Sequence, residues 1–419
     1  RGALTPSTSA RPGAMRTAVL LAVLLAGLVG RAPGADLEGV LPTASPESVG
    51  FRPGGLDEVD RIIEAAVAAK AFPGAVLAVG RRGALVHFRA FGRQTYDPAA
   101  AAVRTDTIWD LASLTKVVVT TTVAMILMDE GRLDLDAPVC RIVPGFRGRG
   151  KDAVRVRQLL THSGGVLWWA PLYEELRGKR AYLERILEMD LDYEPGTKSV
   201  YSDLGLILLG EVLERLAGAP IRDVARERLL EPLGMCDTQY VPPVALRPRI
   251  APTERDPWRG RVLRGEVHDE NAFALGGVAP HAGLFSTGGD LARFAQMLLN
   301  GGTLGGRRIV SEKTVALFTR RAGGVPKSTR ALGWDTPTDG ITPRSSTPGD
   351  PGYSSAGSLL SARSFGHTGF TGTSMWMDPE RQLFIILLTN RVHPTRENRA
   401  HLEVRPRVAD AVVRALGDR

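Results

Sequence analysis

Two hairpin signals stand at opposite ends of this chain and govern any fold built on it. The first is "AVLAVGRRGALVHFRAFGR", residues 75–93, where two apolar runs flank Gly80-Arg81-Arg82-Gly83. The second is "TSMWMDPERQLFIILLTNR", residues 373–391, where two apolar runs flank Asp378-Pro379-Glu380-Arg381. Between them the pattern is helical and punctuated by Gly and Pro. "DLGLILLGEVLERLAG" and "IRDVARERLLEPLG" each end on a Gly suited to a left-handed cap. "TGGDLARFAQMLLNGG" and "SEKTVALFTR" open on polar residues, with Ser311 placed as an N-cap. "PGGLDEVDRIIEAAVAAKAF" before the first hairpin is amphipathic, with Leu56, Val59, Ile62, Ile63 and Ala66 at helical spacing. "RVADAVVRAL" closes the chain as a helix.

Strands near both termini with helices between them predict an α+β fold, an antiparallel sheet flanked by terminal helices plus an inserted all-helical lobe. The α/β lobe is expected over about 50–104 and 286–419, the helical lobe over about 105–285, all within one domain from residue 36 to 419. Residues 335–365, rich in Pro, Gly, Ser and Thr, read as a long irregular loop.

From Met15 the chain reads "MRTAVLLAVLLAGLVGRAPGADLEG": one Arg, an apolar core from Ala18 to Val29, then small residues at 32–35. This is the form of a secretory signal peptide. Its core is short for a bilayer span, and no Cys follows it to carry a lipid. The expectation is an exported, soluble protein beginning near Asp36. In an oxidising compartment Cys140 and Cys236 could pair or stay as two buried thiols, and the sequence does not choose.

The net charge of +8 is scattered and carried mostly by Arg, with no basic run interleaved with aromatics, which argues against nucleic-acid binding. Seven dispersed His, with no HExxH or CxxC spacing, argue against a metal centre, and no motif calls for another cofactor.

The stretch "WDLASLTKVVVT" places Ser113 three residues before Lys116, at the edge of an apolar run reaching Met128. Its Val and Thr residues favour a strand, but the run is too long for one and its second half favours helix. Apolar on all sides, it reads as a buried helix. Ser113 then lies in the first turn, where free N–H groups can hold a developing oxyanion, with Lys116 one turn on. Taken alone the pair is a weak signal, since Ser113 can cap the helix and Lys116 reach solvent.

Two further motifs change the weighting. "EPGTKSVYSDLG" sets Tyr201-Ser202-Asp203 in a loop before a helix, and "SFGHTGFTGTSMW" sets His367-Thr368-Gly369 at the head of an apolar strand. The order Ser-x-x-Lys, Tyr-Ser-Asp, His-Thr-Gly resembles the penicillin-binding protein and class C β-lactamase superfamily of active-site serine hydrolases. The resemblance extends to "LLTHSGG" and "GGVAPHAGLFSTGGDLARF" and covers most of the chain after the signal segment.

The resemblance implies roles. Ser113 is the acylated nucleophile, Lys116 its activating partner, and Tyr201 a relay of the proton to the leaving group. The N–H groups of Ser113 and Phe370 form the oxyanion hole. Gly369 lets substrate approach the strand closely, and Thr368 hydrogen-bonds a substrate carboxylate. Asp203 and His367 depart from the Asn and Lys usual in the β-lactamases. Neutral imidazole grips a carboxylate weakly. Asp203, an acceptor-only anion, either holds Lys116 charged and shifts the burden to Tyr201, or attracts a substrate amine.

His268, Asp269 and Asn271 form a second polar cluster, read first as turn-fixing residues and second as cleft lining. His162 is expected to brace a loop. Trp168, Trp169 and Trp376 either wall a pocket or pack the core. The activity implied is hydrolysis of an amide or ester through an acyl-enzyme, with D-amino peptides of peptidoglycan as first substrate class and short-chain esters as second. From another functional class, a member that binds wall peptides without turnover would also carry the departures at Asp203 and His367.

Overall fold

The computed structural model describes residues 41–338 and 352–417. The segment read as a signal peptide and the middle of the Pro/Gly/Ser/Thr-rich loop lie outside the described residues. Both hairpins form. Helix α1 (Asp57–Ala68) leads into β1 (Gly74–Arg81) and β2 (Ala84–Gly92). The turn between them tightens to Arg82-Gly83, both at positive φ (50° and 85°), the two-residue geometry that matches strand twist. After the short strand β3 (Trp109–Asp110) come the buried helix α2 (Thr122–Asp129), α3 (Asp203–Ala217), β4 (Gln239–Tyr240), β5 (Leu284–Ser286) and α4 (Gly288–Leu299). The second hairpin region gives β6 (Phe365–Thr368), β7 (Ser374–Asp378) and β8 (Leu383–Thr389), and α5 (His401–Arg414) closes the chain.

One antiparallel sheet, ordered β6-β7-β8-β1-β2, joins the two ends of the chain. Ala75 pairs with Thr389 and Arg81 with Leu383, so the first hairpin lies beside the last strand. Every residue of β1 is buried. Ala75, Leu77 and Val79 pack with α1 and α5, while Val76 and Ala78 face a larger core shared with α4 and the helical residues. Helices on both faces explain why this antiparallel strand lacks a polar alternation. The α+β class read from the sequence is therefore the observed one, but the middle lobe is not all helical, since β3, β5 and β4 form a three-stranded sheet within it. Among the described residues no helix is long and apolar enough to cross a membrane.

The apolar run after Ser113 is helical as expected, but not uniformly α. Lys116–Thr121 form a π-turn before α2 begins at Thr122. Thr122 Oγ1 reaches back to the Val117 carbonyl at 3.0 Å, and Thr120 Oγ1 bonds the Pro280 carbonyl at 2.6 Å. Val117, Val118 and Val119 have no exposed surface, so burial outweighs their strand preference. Single π-turns inside helices recur at functional sites. Ser311 caps its helix as read, accepting from the Thr314 N–H. Cys140 is buried and Cys236 exposed, both as free thiols, so neither a bridge nor a pair of buried thiols is present.

Candidate active site

The strand β3 leads into Ser113. Asp110 Oδ1 accepts the Ala112 N–H at 2.9 Å and Oδ2 the His268 N–H at 2.6 Å, which bends the chain sharply before Ser113. Ala112 sits at φ 47°, a left-handed conformation that alanine rarely adopts, immediately before the proposed nucleophile. Lys116 Nζ then stands 2.9 Å from Ser113 Oγ, 2.8 Å from the His281 carbonyl and 2.8 Å from Asp203 Oδ1. Three acceptors surround a three-donor ammonium. The same Nζ lies 4.9 Å from the centroid of the Tyr201 ring.

Tyr201 and Asp203 arrive together at the head of α3. Ser202 caps that helix through the Gly205 N–H at 2.8 Å. His162 Nδ1 accepts the Ser202 N–H at 3.0 Å, and its ring packs 4.6 Å from that of Tyr201. His162 thus braces the loop, as expected. Ser113, Lys116, Tyr201 and Asp203, drawn from two segments about 90 residues apart in sequence, form one cluster.

The electrostatics favour the first of the two alternatives left open for Asp203. Burial acts to lower its pKa, but the Asp203 carboxylate and the neighbouring Tyr201 outweigh it, and the amine is held above the ordinary lysine range. Burial likewise raises the Tyr201 phenol, despite Lys116 and hydrogen bonds from Lys116 and Ser113 pulling the other way. The resting cluster is an ammonium beside a neutral phenol. A depressed-pKa Lys116 acting as resting base does not fit this geometry, because an anion stands at contact distance.

His367 is buried, and its Nδ1 lies 2.8 Å from the Thr368 carbonyl, which makes Nδ1 the protonated nitrogen. Its pKa is pushed down to about 4, chiefly by burial, so the imidazole is neutral at physiological pH. The His367 ring stands 5.9 Å from that of Tyr201, while Thr368 is partly buried.

Beyond β6 the chain folds back against the nucleophile segment. Thr371 Oγ1 donates to the Asp110 carbonyl at 2.7 Å and Thr373 Oγ1 to the Leu111 carbonyl at 3.1 Å. Arg405 Nη2 holds the Gly369 and Thr373 carbonyls, and Arg391 Nε the Phe370 carbonyl at 2.7 Å. The N–H groups of Ser113 and Phe370 donate to no acceptor among the described residues. Gly369 has a structural reason besides the one expected. A Cβ there would lie 2.4 Å from the Leu111 carbonyl oxygen and 2.1 Å from Thr373 Oγ1, so glycine permits the two segments to approach each other.

The second cluster is mainly structural. Asp269 caps a short helix through the Ala272 N–H at 2.7 Å, and Asn271 ties together the Tyr173 N–H, the Tyr182 hydroxyl and the Ala170 carbonyl. Asp269 also holds the His281 ring at 3.0 Å, behind the carbonyl that receives Lys116. Trp376 is core, whereas Trp168 is 54% and Phe370 50% exposed. Sequence reasoning gave no role to His281, Thr371, Thr373 or Arg330, whose guanidinium lies 5.2 Å from the Tyr201 ring centroid. The segments holding His281, in "VAPHAGLF", and Thr371 and Thr373, in "SFGHTGFTGTSMW", carried a signal, whereas that of Arg330 did not.

A serine hydroxyl, an ammonium and a phenol gathered beside an antiparallel sheet fit a hydrolase of the β-lactamase type. The chain belongs to the β-lactamase family, whose model matches residues 59–409. It is 34% identical to an Escherichia coli (strain K12) protein named a D-alanyl-D-alanine carboxypeptidase, over 84% of this chain and 86% of that one. It is 35% identical to an N-acetylmuramyl-L-alanine amidase of Bacillus subtilis (strain 168), over 83% of each. Among solved structures, a penicillin-binding protein homologue from Caulobacter crescentus superposes with TM-score 0.68 at 24% identity, covering 88% of this chain and 99% of that one. A class C β-lactamase does so with TM-score 0.68 at 20% identity, covering 86% and 95%.

Proposed function

We propose that this protein is an exported serine hydrolase that cleaves amide bonds of peptidoglycan-derived peptides through an acyl-enzyme on Ser113. The contact of Ser113 Oγ with a fully buried Lys116 amine at 2.9 Å carries the proposal. Burying an ammonium is costly unless it is fully paired, and a protein that only binds wall peptides gains nothing from it.

In the reaction, the cluster first gives up one proton to solvent, leaving Tyr201 or Lys116 able to accept. Ser113 Oγ attacks the carbonyl carbon as its proton passes to that pair. The tetrahedral oxyanion is received by the Ser113 and Phe370 N–H groups. The pair returns the proton to the departing nitrogen, which leaves as an amine. Water then attacks the Ser113 ester, gives its proton to the same pair, and the acid departs with Ser113 restored. Tyr201 is the better placed relay, since Asp203 holds the positive charge on Lys116.

The relatives named for carboxypeptidase and muramyl-amidase activity support peptidoglycan as the source of substrate, and the segment from Met15 supports export. The test compares wild type with Ser113→Ala on a chromogenic ester, a D-Ala-D-Ala peptide and a muramyl peptide. Loss of turnover on every substrate that wild type cleaves is expected. Unchanged turnover by the variant would end the proposal.

A further inference from the structure

We propose that the bond cleaved here is an internal amide, one whose leaving group carries no free α-carboxylate. The inference rests on the serine-hydrolase reading and names the substrate class within it. The cations around the site are already committed. Lys116 Nζ hydrogen-bonds Ser113 Oγ and the His281 carbonyl and makes an ion contact with Asp203 Oδ1 at 2.8 Å. Arg330 lies over the Tyr201 ring with Nη1 2.7 Å from Asp335 Oδ1. Asp335 is itself fixed by two backbone hydrogen bonds to Gly366, the residue before His367. Lys116 and Arg330 thus each face a carboxylate of the protein, Asp203 and Asp335.

His367 completes the argument. Its Nδ1–H is spent on the Thr368 carbonyl, so Nε2 is a lone pair, and it is buried without a partner among the described residues. A buried acceptor left unpaired costs about 1–3 kcal/mol and is relieved by a donor, not by another acceptor. The N–H of a continuing peptide is a donor. A terminal carboxylate is an acceptor that would meet this lone pair and compete with Asp335 for Arg330. Close to the same segments, Trp168 is exposed, and its carbonyl accepts the Asp203 N–H at 2.9 Å. The low pKa of His367 keeps it neutral at the pH of such a reaction.

The experiment uses two probes differing in one group, acetyl-D-Ala-D-Ala and its C-terminal carboxamide. Each competes with hydrolysis of a chromogenic ester by the wild-type protein, and amine release is followed by mass spectrometry. The carboxamide is expected to be favoured at least threefold in competition. In His367→Lys the ratio is expected to move at least tenfold toward the acid. A wild-type ratio below threefold, or a preference for the acid, overturns the proposal. If that preference disappears in Arg330→Gln, the guanidinium has left Asp335 to grip the carboxylate. The parent reading is judged separately, by whether Ser113→Ala still turns over the ester.

Discussion

Lys116 Nζ lies 2.8 Å from Asp203 Oδ1, inside a cluster where the lysine has almost no exposed surface. The Oδ1 atom makes a close ion contact without an aligned hydrogen bond. The pair therefore acts chiefly through charge. It fixes the protonation state of the site, and the chemistry depends on how that charge is relieved.

Asp203→Asn removes the anion that raises the Lys116 pKa. An opposite charge at this distance shifts a pKa by about 1–3 units. Wild-type kcat/KM should rise with pH into the alkaline range, as the cluster loses its proton. In the variant that rising limb should move toward neutral pH by at least about one unit. A limb that stays in place would show that Asp203 does not set the state of the base.

Tyr201→Phe keeps the ring that packs 4.6 Å from His162 and beneath Lys116, and removes only the hydroxyl. The melting temperature should change little. Loss of a proton relay should lower kcat by about 10²–10⁴-fold. A kcat within threefold of wild type would remove Tyr201 from the reaction.

Thr371→Val and Thr373→Val test the bridge between the two proposed oxyanion segments. Thr371→Val removes the threonine donor from the buried Asp110 carbonyl, at a cost of about 1–3 kcal/mol, whereas the Leu111 carbonyl keeps the Leu114 N–H and Thr373→Val costs less. The expected signature in ester kinetics is a fall in kcat with KM nearly constant, since Phe370 moves relative to Ser113. A change in KM alone would place these threonines in substrate binding instead.

Acid should destabilise the protein through its buried imidazoles. His367 has a folded pKa of about 4 against 6.5 for the free side chain, chiefly from burial. The unfolded chain binds the extra proton between those values, so stability rises with pH across this window and is lost as pH falls through it. His367 alone accounts for about 3 kcal/mol between pH 7 and pH 4. His162, shifted the same way by burial, adds to it. Urea midpoints measured over that range should fall steeply for wild type and less steeply for His367→Gln.

Much of this architecture could be read along the chain, because hairpins and amphipathic helices are local patterns. The Arg82-Gly83 turn, the Ser311 cap and the helix beginning at Asp203 follow from residues within a few positions of one another. The Ser113–Lys116 and Tyr201–Asp203 groups were legible for the same reason. What escaped depends on contacts across the fold. The π-turn at Lys116–Thr121 is set by burial of Val117–Val119, against their local preference. The role of His281 comes from its backbone carbonyl, which no side-chain motif announces. Thr371 and Thr373 act on carbonyls more than 250 residues earlier, and Gly369 leaves room for Leu111.

The most direct test is covalent. Wild-type protein exposed to a fluorophosphonate should gain the mass of one adduct, mapped to the peptide carrying Ser113. Ser113→Ala should gain none. An adduct on another residue, or equal labelling of the two proteins, would contradict the account.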